Sequence, residues 1–224
     1  MLFRSDFEVL QWGTRFQDLK ISLYLVGGDE EERLEMAKRL QALVGPSLLV
    51  DGDVMPAQLL TDLLVARGET ISCAESCTSG FVAKLLTDQS GSSAWFYGGA
   101  VTYANEAKIA MLGVRSETLQ AHGAVSEACV LEMAQGMLNR SHTDWALSVS
   151  GIAGPDGGSN EKPVGTVWFG FASKHRSSAA VKVQLTSYGR DSIRRKASVV
   201  ALILASQYIK GACLLDTVKK WQYI

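Results

Sequence analysis

A chain of 224 residues is long enough for one substantial core and a smaller module, and too short for three domains. Its 47% hydrophobic and 20% charged residues match a soluble globular protein, and a net charge of −1 gives no electrostatic footing for nucleic acid or an anionic membrane. The longest apolar run, near residues 199–205, falls far short of the ~18–20 residues of a membrane span. The opening MLFRSDFEVLQWG carries acidic residues where a signal peptide would be apolar. Four scattered cysteines, Cys73, Cys77, Cys129 and Cys213, sit among apolar neighbours, as reduced thiols rather than a disulfide frame. The expectation is a cytoplasmic protein.

The first fifty residues read as a small β/α unit. ISLYLVG, at 21–27, has strand character, and the helix after it opens on Asp29 with Glu32 three residues on, the pattern of a capping box. Leu34, Ala37, Leu40 and Val44 follow at helical spacing, Gly45 and Pro46 stop the helix, and SLLVD at 47–51 looks like a second strand. From residue 53 helices and strands alternate. PAQLLTDLLVARG is a helix with Pro56 near its first position and Gly68 at its end. TISCA is a short buried strand, 78–87 a helix, GGAVTYA a strand and NEAKIAMLG a helix. SEACVLEMAQGMLNR is a helix capped by Ser126, and WALSVS is another strand. A glycine-rich loop fills 151–163, VGTVWFGFAS and AAVKVQL make a hairpin, and a helix over about 191–210 closes the series. Alternating elements and a hairpin predict a three-layer α/β/α sandwich with a mixed sheet over 53–224, beside the small module of 1–52.

Three stretches carry candidate chemistry. AESCTSG, at 74–80, runs from a strand into a helix, where the first backbone N–H groups lack partners. Ser76 at that junction would share its space with those donors, which suit the oxyanion formed when a serine attacks a carbonyl. The plainer reading is that Ser76 or Thr78 caps the helix. Cys77 competes as nucleophile, since a helix N-terminus activates a thiolate, but a free cysteine also serves as apolar filler. For a base, His142 and His175 sit in exposed turns and only His122 lies among small residues. Lys108 is the other option, between Ala107 and Ile109 and five residues after Tyr103. It would act as a base if burial lowers its pKa, and otherwise is a solvated helix lysine. The loop SGIAGPDGGSNEKPVG offers backbone N–H groups to an anion such as phosphate, or is an ordinary long turn. Arg190, Arg194 and Arg195 in YGRDSIRR suit a carboxylate or phosphate, or a solvated helix start. No His, Cys or carboxylate cluster has the spacing of a metal site.

AESCTSG, GSSAWF with GGAVTYANEAK, LGV, HGAVS, SGIAGPDGG with EKPVGTVW, and GRD together resemble, in order and spacing, the CinA C-terminal domain family, over roughly 53–209. That resemblance implies a nicotinamide-nucleotide amidase, with no cofactor, that hydrolyses the carboxamide of nicotinamide mononucleotide to nicotinate mononucleotide and ammonia. It implies Ser76 as nucleophile, Lys108 as base and Tyr103 as a hydrogen-bonding partner. The backbone at Cys77 and Thr78 would supply oxyanion donors, Ser150 and Gly151 the pocket lining, and Arg190 a substrate contact. It also implies a homodimer, and makes 1–52 resemble part of the linker domain of full-length CinA proteins. The family's block ends in two glycines, and Ser79 replaces the first here. A positive φ at that position would strain a serine. The alternative reading is therefore a protein that keeps the fold and binds a nucleotide without turning it over.

Overall fold

A computed structural model describes residues 11–17, 20–44, 54–186 and 189–219. The chain divides into two units between Met55 and Pro56. In the first, β1 (Gln11–Gln17) and β2 (Lys20–Val26) pair as an antiparallel hairpin, and α1 (Glu30–Val44) follows. The capping box forms as its spacing predicts: Glu32 N donates to Asp29 Oδ1 at 2.8 Å, and Asp29 N donates to Glu32 Oε2 at 3.1 Å. The hairpin partner β1 was not anticipated, and the expected strand at 47–51 lies outside the described residues.

The second unit runs α2 (Pro56–Arg67), β3 (Ile71–Glu75), α3 (Phe81–Thr87), β4 (Phe96–Val101), α4 (Asn105–Leu112), α5 (Ser116–His122), α6 (Glu127–Ser141), β5 (Trp145–Gly151), β6 (Thr166–Ser173), β7 (Ala179–Gln184), α7 (Arg190–Ile209) and α8 (Leu214–Lys219). The five strands form one sheet in the order β4-β3-β5-β6-β7. The first three are parallel, while β6 and β7 turn back antiparallel, so the sheet is mixed. The helices α5 and α8 are additions to the expected series, and α3 begins three residues later than expected.

Side chains alternate across the sheet and build two apolar layers. Cys73, Leu147, Val149, Phe169 and Phe171 face α2, α3 and α7, where they meet Leu60, Leu64, Val82, Leu86, Val200 and Tyr208. Ala74, Ala146 and Ala172 face the other way and pack under Cys129, Met133, Ala134 and Met137 of α6. Each large side chain buried in these layers contributes roughly 1.5–3 kcal/mol. The small residues on the second face let α6 approach closely: a Cβ on Gly170 would stand 2.4 Å from the Val130 carbonyl oxygen. Gly136 does the same for α4, since its Cβ would stand 1.8 Å from the Leu112 oxygen. That contact seats the C-terminal end of α4, the helix that carries Lys108.

Candidate active site

The carboxyl ends of β3, β4 and β5 lie side by side, the usual place for a ligand in an open α/β sheet. Ser76 is the first residue beyond β3. Its N–H donates to Val149 O at 2.9 Å, which extends the β3–β5 ladder by one bond before the chain turns away. On the other side Thr102 N donates to Glu75 O at 2.8 Å, so the end of β4 is held level with the serine. Three residues later α4 begins, and the Lys108 side chain reaches back under the β4–α4 connection, as long helical side chains do. Its Nζ lies 3.1 Å from Ser76 Oγ, and donates to Thr102 O at 2.8 Å and Tyr103 O at 3.1 Å.

Lys108 is 1% exposed, and burial lowers its pKa from the ordinary lysine value. Nearby Cys129, Cys77 and Glu106 oppose that shift without reversing it. An uncharged amine has two N–H bonds and one lone pair. With both hydrogens held by the carbonyls of Thr102 and Tyr103, the lone pair faces the serine hydroxyl. When a proton arrives, the resulting ammonium finds an acceptor for each of its three hydrogens at the same positions.

The turn after Ser76 is organised by a residue that sequence reasoning missed. Glu75, at the end of β3, is 1% exposed and sends its carboxylate forward to the start of α3. Oε2 accepts from Gly80 N at 2.9 Å and Val82 N at 3.1 Å, and Oε1 accepts from Ala83 N at 2.9 Å. These bonds satisfy amide hydrogens that a helix start leaves orphaned, and a negative charge there suits the helix dipole. Neither Ser76 nor Thr78 caps α3; Gly80 occupies that position with no side-chain cap. Ser79 has φ +48°, in the left-handed region that a serine rarely adopts. Its Oγ donates to Ser76 O at 3.1 Å, an interaction that a glycine there would lack.

With the helix's own first amides committed to Glu75, the amides nearest the serine are those of Cys77 and Thr78. Neither donates to a backbone acceptor among the described residues, and the Cys77 amide lies against its own thiol. Cys77 lines a cavity of about 230 Å³ together with Ser76, Tyr103, Lys108, Ser150, Gly151 and Arg190. Thr78 is fully buried and stands outside that lining. Burial pushes the Cys77 thiol up to about 12, so it is protonated at neutral pH and poorly suited to the nucleophile role.

At the rim, Tyr103 is 58% exposed, and Arg190 Nη2 donates to its hydroxyl at 2.8 Å while Nη1 donates to Gly154 O at 2.8 Å. Arg190 thereby ties the β4–α4 connection to the glycine-rich loop. Ser150 lines the cavity, and its Oγ donates to Ala124 O at 2.7 Å. Gly151 allows close packing at the cavity floor, since a Cβ there would stand 2.7 Å from Val167 Cγ2 and 2.8 Å from Thr166 O. A second depression of about 470 Å³ adjoins, sharing Ala153 and Arg190. The three histidines lie elsewhere, with His175 tilted against Trp145 at a centroid distance of 5.4 Å and His142 ending α6. Arg194, read from the sequence as either an anion ligand or part of a solvated helix start, instead donates to Cys77 O at 3.1 Å and Thr78 O at 3.3 Å. Its guanidinium lies 4.5 Å from the centre of the Phe81 ring.

Residues 55–209 match the family described as the CinA C-terminal domain. A protein of Escherichia coli strain K12 named nicotinamide-nucleotide amidohydrolase PncC is 54% identical over 155 residues, which cover 69% of this chain and 93% of that one. A protein of Caldanaerobacter subterraneus subsp. tengcongensis named putative competence-damage inducible protein is 42% identical over 188 residues, 82% of this chain and 45% of its own length. Among solved structures, the competence damage-inducible protein A of Klebsiella pneumoniae subsp. pneumoniae superposes with a TM-score of 0.66 at 38% identity, covering 70% of this chain and 98% of that one.

Proposed function

Because the chain belongs to the CinA C-terminal domain family, we propose that it is an amidohydrolase that converts nicotinamide mononucleotide and water to nicotinate mononucleotide and ammonia. The observation that carries the mechanism is the 3.1 Å contact between Ser76 Oγ and the buried Lys108 Nζ. Lys108, uncharged, takes the Ser76 proton as the oxygen adds to the carboxamide carbon. The carbonyl oxygen becomes an oxyanion, held by the Cys77 amide with the Thr78 amide behind it. The C–N bond then breaks, Lys108 returns its proton to the departing nitrogen, and ammonia leaves an ester on Ser76. Water adds to that ester with Lys108 again accepting a proton, and collapse of the second oxyanion restores the serine and releases the carboxylate. General-base catalysis contributes typically ~10²–10⁴-fold, and one oxyanion donor a further ~10²–10³-fold.

The cavity of about 230 Å³ takes the nicotinamide ring, where the lone pairs of Ser150 Oγ accept from the carboxamide N–H. Ribose and phosphate extend past Tyr103 toward Arg190, whose guanidinium and the neighbouring depression suit the anionic end. The first unit corresponds to part of the CinA linker domain, since the Caldanaerobacter match covers 82% of the chain, more than the second unit holds. The enzyme acts as a homodimer in the cytoplasm. No described helix is long and apolar enough to cross a membrane, and three of the four free thiols are buried, in keeping with a reducing compartment.

The competing reading, binding without turnover, was motivated by Ser79. That serine does take the strained backbone conformation, yet its hydroxyl is bonded to Ser76 O and the Ser76–Lys108 contact is intact, which favours chemistry. The deciding experiment follows ammonia from nicotinamide mononucleotide on the wild-type chain, with calorimetric binding in parallel. Turnover supports the amidase; heat of binding without ammonia supports the alternative.

A further inference from the structure

We infer that Arg194 is a positioning residue for this reaction, holding the turn after Ser76 so that its amide hydrogens face the incoming oxyanion. The inference rests on the amidase reading and adds to it a side chain outside the cavity lining.

Three consecutive carbonyls follow the nucleophile, and each is held. Ser76 O accepts from Ser79 N at 3.2 Å and Ser79 Oγ at 3.1 Å. Cys77 O accepts from Arg194 Nε at 3.1 Å. Thr78 O accepts from Phe81 N at 3.2 Å and Arg194 Nη2 at 3.3 Å. In a planar trans peptide, a carbonyl and the N–H of the next residue point in opposite directions. Holding Ser76 O therefore aims the Cys77 amide, and holding Cys77 O aims the Thr78 amide. Within the turn, those two amides donate to no backbone carbonyl.

The middle peptide depends on α7 alone: Arg194 Nε is the one donor to Cys77 O among the described residues. Without it, the 77–78 peptide can rotate, and the turn that sets the Cys77 amide against the cavity loses one of its fixed planes. An arginine is suited to the task because its planar fork reaches two carbonyls at once, and stacking on Phe81 fixes the plane. A lysine would supply the charge but not the fork.

The test compares the full chain with Arg194→Ala and Arg194→Lys. Three things are measured: thermal unfolding, kcat and KM for ammonia release from nicotinamide mononucleotide, and the rate at which a fluorophosphonate ester labels Ser76. Misplacing an oxyanion donor reduces kcat by ~10²-fold. The expected result is a loss of that order in kcat for Arg194→Ala, with KM little changed and labelling slowed in proportion. Arg194→Lys recovers part of the loss, and millimolar methylguanidinium added to Arg194→Ala recovers part of it too. Unchanged kcat and labelling in the folded variant overturn the inference, as does a loss confined to KM or one that only tracks the unfolded fraction. If the wild-type chain labels at Ser76 but releases no ammonia, the substrate reading fails while the labelling comparison still decides Arg194. A wild-type chain that does neither overturns both.

Discussion

Replacing Glu75 by glutamine keeps the volume of the side chain and removes one acceptor from a buried site. The carboxylate serves three backbone N–H groups, with Gly80 and Val82 on one oxygen and Ala83 on the other. Glutamine keeps one acceptor oxygen and sets two N–H donors in place of the other. Its better arrangement retains Gly80 and Val82, and leaves Ala83 N–H facing an amide hydrogen. Losing one bond to a charged group removes roughly 1.5–3 kcal/mol, and weakening the two that remain brings the destabilisation to about 2–4 kcal/mol. At roughly 2–4 °C per kcal/mol for a unit of this size, the melting temperature falls by about 5–15 °C. Calorimetry of Glu75→Gln reads that shift, and ammonia release below the new transition reads the displacement of Ser76 through the turn that Glu75 anchors. A stability change under about 0.5 kcal/mol with undiminished kcat would refute the claim that this carboxylate holds the nucleophile turn.

Burial lowers the pKa of Lys108, so kcat/KM should rise with pH at unit slope through that lowered value and then level off. A pH-independent kcat/KM on the acid side would remove Lys108 as base. The unfolded chain binds the extra proton between the folded and the ordinary lysine pKa, so stability also rises with pH across that window. Lys108→Met should abolish ammonia release and flatten that part of the stability curve; a retained slope in denaturant unfolding would assign it to another group. Ser79→Ala keeps the left-handed backbone and loses the bond to Ser76 O, a destabilisation of about 1 kcal/mol. Ser79→Gly loses the same bond but relieves a comparable strain, so its unfolding midpoint should stay near wild type. Equal losses in the two variants would contradict that division.

The alternation of helices with strands was legible because apolar spacing and helix stops are local signals. Ser126, for example, does cap α6, accepting from Cys129 N at 3.3 Å. The end of α3 was legible and its start was not. The start is set by Glu75 reaching across the turn and by Ser79 in a left-handed backbone conformation, for which the family's glycine at that position is the cue. The hairpin strand β1 reads QWGTRFQ, where polar Thr14 stands between Trp12 and Phe16 and weakens the apolar alternation that marks a strand. Ser76 and Lys108 stood out through the order of motifs and not through spacing, since 32 residues separate them and only the sheet brings β3 and β4 together. Glu75 reads as an ordinary strand-end residue, and Arg194 as an anion ligand or a solvated helix residue with no pointer to the turn after Ser76. Most of their hydrogen-bond partners are main-chain atoms, which every sequence contains and none advertises. A signal existed for Glu75 in hindsight: a lone carboxylate at the end of a buried strand needs donors, and the next helix start is the nearest supply.

The proposed reaction requires the hydroxyl of Ser76 to be the atom that attacks the amide. Ammonia release from nicotinamide mononucleotide by Ser76→Ala, measured beside the wild-type chain with folding checked by circular dichroism, tests that most directly. The variant should remain folded and release no ammonia above background. Turnover at the wild-type rate would contradict the account.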